Sequence, residues 1–507
     1  MVRIPDSNRT PDEAQLSDAK PITIPPLTGI YAEPFSLRKL LGMLTFFGPA
    51  AVVASLSLGA GETIMVTGLG AWSEYGLLWL LLLSVVVKGV FVTYLTGRYT
   101  AVTGQRIGHR LVMLPGPRGW LLLVVVVAEV GLISMGLTTV AKPCGNLITF
   151  LLYDVLPGNL SFGTWENLWT NVIFAAAMSL GLLSSFRALQ RQQVLICGML
   201  VLGTVTATLL VKPDVGNLIA GALSVGYLPS VPAWAPPAAH NDYSLNLITT
   251  FGYVGGSLSG YLAYSSWISM SGWGINSHPQ IDDIRRRADR GPRIDYLPDD
   301  PEQAHRLRTL LMPLRWDVAL GALVLFIVTA AFLTAGATVL FPRQEAISGN
   351  SWELLTKQAS IWQQIHQALV PVYYVMVLAA LWGTLASVPE AIARVTHDFF
   401  SAIWPRFEKF PVRRLQSIIV VWFFVTSIAW TWSGVTFDLM TQICAFLTAS
   451  LGLFVVFSCV LYFNFTLPRR YRPSWWVLVG GVASAVILLI CAIGGAAGLV
   501  WKVMEAL

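Results

Sequence analysis

The residues equipped to hold a charged solute sit at two interruptions of otherwise apolar sequence. The first is Gly59-Ala60-Gly61-Glu62, inside the run GPAAVVASLSLGAGETIMVT from Gly48 to Thr67. A carboxylate in a stretch apolar enough for a bilayer is costly and marks a binding or transport position. The second is GYVGGSLSGY, in which Gly252, Gly255, Gly256 and Gly260 surround Ser257 and Ser259. Such glycines permit close helix packing. They also permit a broken helix, whose freed carbonyls and N–H groups lipid cannot satisfy and which therefore line a cavity or bind a solute.

The donors gathered this way are Glu62, the hydroxyls of Thr63, Ser257, Ser259 and Tyr261, the Gln442 amide, and the backbone near Gly59, Gly61 and Gly256. All are oxygen donors, with Glu62 and Ser257 the candidate metal ligands. Oxygen suits hard Mg²⁺, Ca²⁺ or Mn²⁺, and a site with one carboxylate must leave the ion several of its waters. Lys88 and Glu129 also fall inside apolar runs. A buried ammonium needs a partner, and Glu62 and Glu129 are the candidates. Pairing with Glu62 would cancel the charge a cation needs and favour a zwitterionic or organic solute; pairing with Glu129 would leave Glu62 free.

The elements that carry these residues are membrane helices. Of 507 residues, 55% are hydrophobic and 12% charged, against roughly a quarter charged in soluble domains. Continuous apolar runs, rather than alternating ones, exclude a β-barrel. With ~20 apolar residues needed per crossing, eleven spans are predicted, at about 40–73, 76–98, 119–141, 167–184, 193–211, 246–271, 316–341, 369–393, 415–433, 438–463 and 474–501. Basic residues concentrate in alternate connections, which by the positive-inside rule makes the N-terminus cytoplasmic and the C-terminus external, in the plasma membrane. That segregation accounts for the net charge of +6 without a nucleic-acid partner.

Residues 1–37 read as a flexible cytoplasmic tail with no signal peptide, 275–314 as a solvated charged cytoplasmic loop, and 474–507 as an eleventh helix with an external end. Five cysteines lack ligand or disulfide spacing. Glu390, Arg394, His397 and Asp398 form an i, i+4 ion ladder, and the histidines, His366 near Glu353 among them, lie away from the midplane. The two Gly-broken spans are the first and the sixth. Five spans apart, they fit an inverted five-plus-five repeat, about 38–212 and 246–464, meeting at the midplane.

Gly48-Pro49-Ala50 with a break at 59–62, Leu77-Leu78-Trp79, Arg98, Val102-Thr103-Gly104, Ala128-Glu129-Val130, Lys212-Pro213-Asp214 and Asp317-Val318-Ala319-Leu320 together resemble the Nramp transporters, over roughly residues 40–460. The resemblance implies an all-α LeuT-type fold with helices 1 and 6 broken, alternating access, and proton-linked Mn²⁺ or Fe²⁺ uptake. The departures lie at the site. Gly59-Ala60-Gly61-Glu62 replaces the family's Asp-Pro-Gly-Asn, Ser257-Leu258-Ser259 its Met-Pro-His, and Gly136 the acidic residue seven positions after Glu129.

The expectation is a secondary transporter of a hard divalent cation, Mg²⁺ or Mn²⁺, that needs no cofactor. The same fold moving a small organic or amino acid solute, or a transport-inactive scaffold, are the alternatives. An enzyme is not expected, since there is no zinc-ligand spacing, nucleophile elbow or phosphate loop. The bilayer and a small solute are the partners the sequence specifies, and oligomeric state is left open.

Overall fold

The computed structural model describes residues 21–34, 36–57, 59, 61–235, 237–289, 291, 294–344 and 354–506. Among them there is no strand, and eleven helical segments, two of them broken, follow one another in an order consistent with the expected spans. We number them α1 (halves Pro49–Ser57 and 61–73), α2 (Leu78–Thr103), α3 (Trp120–Leu152), α4 (Phe162–Leu183), α5 (Phe186–Val211), α6 (Tyr243–Tyr253 and Leu258–Met270), α7 (Met312–Ala335), α8 (Leu369–Ile403), α9 (Val412–Trp432), α10 (Phe437–Thr466) and α11 (Trp475–Ala506). Eight helices are individually long and apolar enough to cross a bilayer. α4 is not among the eight, and the halves of α1 and of α6 are short because each helix is broken.

Packing follows two groups. The first half of α1 lies against α5, α7, α8 and the second half of α6, while the first half of α6 lies against α10 and α11. α3, α4, α8 and α9 pack among themselves as a scaffold alongside. Small residues set the closest approach. A Cβ on Gly70 of α1 would stand 2.3 Å from the Leu333 carbonyl oxygen, and one on Gly336 would stand 2.2 Å from that of Thr67. Both obstacles are backbone, so α1 and α7 can cross here only through glycine, the small-residue packing of membrane helices.

Three expectations from sequence change. α3 runs nearly three turns beyond Lys142, to Leu152. Its polar residues are used across the α3–α4 hairpin: Lys142 faces the charge of Glu166, and the Asn146 amide donates to that carboxylate at 3.2 Å. The 275–314 segment is docked rather than merely solvated. It forms short helices Ile281–Ala288 and Pro301–Leu310, with Ile284, Tyr296 and Leu307 buried. The Tyr296 hydroxyl donates to the Thr103 carbonyl at 2.7 Å.

The tail is also held at its end. Ile22 N–H donates to the Tyr296 carbonyl and Ile24 N–H to Gln303 Oε1, both at 2.9 Å. Residues 1–20 of the expected flexible tail lie outside the described residues.

Candidate functional site

The break in α6 runs through Val254, Gly255, Gly256 and Ser257. Gly255 and Gly256 both have φ of 89°, a left-handed backbone that favours glycine. The first half of the helix therefore ends in mid-protein with unpaired carbonyls, and α2 supplies their donors. The Ser84 hydroxyl, with one proton to donate, lies 2.8 Å from the Phe251 carbonyl and 2.7 Å from that of Val254. Lys88 Nζ, one turn further along α2, donates to those of Phe251 and Gly252, each at 2.7 Å. Its ammonium also stands 5.3 Å from the Phe251 ring centroid, and the residue is fully buried. A cation at the C-terminal end of a helix meets the negative pole of the helix dipole. Lys88 sits within a widened i→i+5 turn, Val85–Val92, a feature found often at functional positions.

The break in α1 is built differently. The helix starts at the Gly48-Pro49-Ala50 motif, whose Gly48 and Ala50 N–H groups donate to the two Asp317 carboxylate oxygens at 2.9 Å each. The Tyr264 hydroxyl of α6 donates to the same carboxylate at 2.9 Å. Two sequence motifs far apart in the chain thus form one N-terminal cap, with the anion at the positive helix end. After the break the Gly59 carbonyl accepts from Thr63, through its N–H at 3.3 Å and its hydroxyl at 2.8 Å.

The two breaks meet. A Cβ on Gly61 would stand 2.8 Å from Tyr253 Cβ, and one on Gly59 3.1 Å from Thr384 Oγ1 of α8. Glu62 follows in the helical turn Gly61–Val66; its side chain, with Leu58 and Ala60, lies outside the described residues.

Between the breaks is a cavity of about 90 Å³, bounded by Gly59 and Gly61 of α1, Gly256 and Ser257 of α6, Gly136 of α3, Thr384 of α8, and Cys444 and Thr448 of α10, with apolar walls from Ile133, Leu137 and Val388. That is room for a few waters or a partly hydrated ion. Lys88, Thr63, Ser259, Tyr261 and Gln442 stand outside this lining. Thr63 is turned back onto Gly59, and Gln442 Oε1 accepts from Lys502 Nζ of α11 at 3.1 Å, which also pairs with Asp242 at 2.5 Å.

Ser259 lies 3.2 Å from the Ser257 hydroxyl and beside Glu129. Among the described residues the Ser259 hydroxyl is the polar neighbour of the buried Glu129 carboxylate, and no ion pair joins Glu129 to Lys88.

Thr384, Thr448, Cys444 and Asp317 are the contributors that sequence reasoning did not assign to the site. Cys444 has no ligand spacing in the sequence, yet its thiol reaches the cavity edge and donates to the Leu132 carbonyl at 3.7 Å. Gly136 makes its room, since a Cβ there would stand 3.2 Å from the sulfur. Among the described residues no three of His, Cys, Asp and Glu converge as a metal cluster.

The face carrying the basic connections is cross-linked by polar contacts. Asp398 of α8 takes Arg106 at 2.7 Å and the Ser266 hydroxyl of α6. Of the expected ladder, Arg394 pairs with Glu390 at 2.6 Å, while His397 meets the Phe410 carbonyl at 3.0 Å. Arg285 of the docked segment donates to Ser269 at 2.5 Å and to Asn276 at 3.2 Å. Asp289 lies 3.1 Å from His109. Burial raises the Asp289 carboxyl, but His109, Gln105 and Arg106 together outweigh it and hold the group below its ordinary 3.8.

A family profile described as "Natural resistance-associated macrophage protein-like" matches residues 50–497. No curated protein matches the sequence. Among solved structures, the manganese transporter of Eremococcus coleocola, in complex with an aromatic bis-isothiourea substituted compound, is 14% identical with a TM-score of 0.59, covering 92% of this chain and 89% of that one. Mhp1, a nucleobase-cation-symport-1 family transporter in a closed conformation with bromovinylhydantoin bound, is 13% identical with a TM-score of 0.51, covering 90% and 89%. At such identities the likeness establishes the fold: two broken helices within a LeuT-type arrangement.

Proposed function

This chain belongs to the natural resistance-associated macrophage protein-like family, membrane-embedded secondary transporters rather than enzymes, and from that premise we propose that it carries a hard divalent cation, Mg²⁺ or Mn²⁺, through the cavity between the breaks of α1 and α6. The observation that supports this reading is the lining. Glycine backbone at Gly59, Gly61 and Gly256 and the hydroxyls of Ser257, Thr384 and Thr448 offer oxygen, and neither histidine nor methionine faces the cavity among the described residues. Hard cations take oxygen ligands, and Mg²⁺ keeps much of its water. Glu62, one residue past Gly61, is the carboxylate assigned to the ion; Ser257 is its partner from α6. The manganese transporter named above, though distant in sequence, is in keeping with a divalent metal as cargo.

In this reading the basic face is cytoplasmic, the N-terminus lies inside and the C-terminus outside. The bonds around Asp398 and Arg285 then close the inner side and must open for release. A second reading, a small organic solute, is favoured by the apolar walls at Ile133, Leu137 and Val388. Lys88, which such a solute's carboxylate would call on, stands outside that lining.

Uptake into proteoliposomes tests the proposal. Saturable Mg²⁺ or Mn²⁺ entry, abolished in Glu62→Gln, is the expected result. A folded preparation that moves no divalent cation contradicts it, and thermal stabilisation by amino acids but not by metals would transfer the assignment to the organic solute.

A further inference from the structure

We infer that the carbonyl end of the first half of α6 is a monovalent-cation site that the protein fills with its own Lys88 ammonium. The inference rests on the geometry of α2 and α6, not on which solute the cavity takes. Broken helices present unwound carbonyls and half-helix C-termini that bind Na⁺ or a proton-carrying group near the midplane. Here the equivalent oxygens, those of Phe251 and Gly252, each lie 2.7 Å from Lys88 Nζ. The position offers a cation two carbonyl oxygens, the negative helix pole and the Phe251 ring face 5.3 Å away, in a fully buried setting.

The lysine stem is fitted to the break as well. Its Cβ and Cε lie 3.2 and 3.3 Å from where a Cβ on Gly255 would stand, so a side chain at 255 would collide with the lysine stem. On this inference the charge is covalently attached and does not dissociate. A free Na⁺ or K⁺ has no reason to enter, and movements at this break do not depend on a dissolved monovalent ion.

A lysine that only stitches α2 to α6 would make the same hydrogen bonds, so the test must separate lost contacts from a vacated cation site. Thermal unfolding of the purified full-length chain is measured in choline, sodium and potassium chloride at equal ionic strength, for wild type, Lys88→Arg and Lys88→Ala. Wild type and Lys88→Arg are expected to melt at the same temperature in all three salts. Lys88→Ala is expected to melt lower in choline and to regain stability with Na⁺ or K⁺ along a saturating curve, the signature of ligand binding to the folded state. Equal destabilisation of Lys88→Ala in all three salts overturns the inference and leaves a purely structural lysine. Equilibrium binding of radioactive Na⁺ to wild type gives a reading that needs no variant: absence of saturable binding supports a filled site, and saturable binding overturns it.

Discussion

The two helix breaks share a backbone plan and differ in who satisfies it. At α6 the freed carbonyls of Phe251, Gly252 and Val254 are taken by a neighbouring helix, through Ser84 and Lys88. At α1 the Gly59 carbonyl is taken by the next turn of the same helix, through Thr63. The first arrangement brings a fixed positive charge; the second brings none. A pseudo-symmetric pair of breaks has thereby been divided into one that is already electrically occupied and one that can receive a solute.

The sharpest way to break the comparison is at the cap that holds α1. Asp317→Ala leaves the Gly48 and Ala50 N–H groups and the Tyr264 hydroxyl without their acceptor. With charge-assisted hydrogen bonds and stranded buried donors each contributing in the range of 1–3 kcal/mol, a loss of about 3–5 kcal/mol is expected, read as a large drop in melting temperature and in uptake. Gly336→Ala sets a methyl against the Thr67 carbonyl, a backbone obstacle that cannot swing away. About 1–3 kcal/mol of destabilisation is expected, measured by thermal unfolding.

Ser84→Ala probes the α6 side alone. It removes the weaker donor from Phe251 and Val254 and leaves Lys88 in place, so about 1 kcal/mol is expected, with the insensitivity to monovalent ions retained. The smallest effect concerns the cross-linked face. Because Asp289 is held below its ordinary value, its stabilising contribution is full above about pH 4 and fades as the pH falls through its lowered folded-state value. Asp289→Asn removes that part of the acid sensitivity, which pH-dependent melting curves of the two proteins would display; the group is partly exposed, so the difference is modest.

Much of this was legible before any coordinates. Glycines beside Glu62 and around Ser257 announce the breaks because few other reasons place such residues in apolar sequence. The family motifs at Gly48-Pro49-Ala50 and Asp317 were visible as pieces, but their meeting as donor and acceptor was not, since hydrogen bonds to backbone N–H leave no partner residue to look for. Lys88 illustrates the same blindness: its bonds to the carbonyls of Phe251 and Gly252 carry no side-chain signature to search for.

Thr384, Thr448 and Cys444 escaped because long apolar helices such as α8 and α10 give no phase by which to tell a cavity face from a packed one. The docking of 275–314 was in principle readable, for Ile284 and Ala288, and Ala304 and Leu307, recur at helical spacing. Its high charge obscured that pattern.

The division of roles between the breaks is tested most directly by divalent flux in sodium-free, potassium-free choline medium. Proteoliposomes bearing wild type or Glu62→Gln are loaded and bathed in choline chloride, and Mg²⁺ and Mn²⁺ entry is followed with an ion-sensitive dye. The account predicts saturable entry for wild type that is unchanged on adding Na⁺ or K⁺, and none for Glu62→Gln. Entry that requires a monovalent cation, or that persists undiminished in Glu62→Gln, would contradict it.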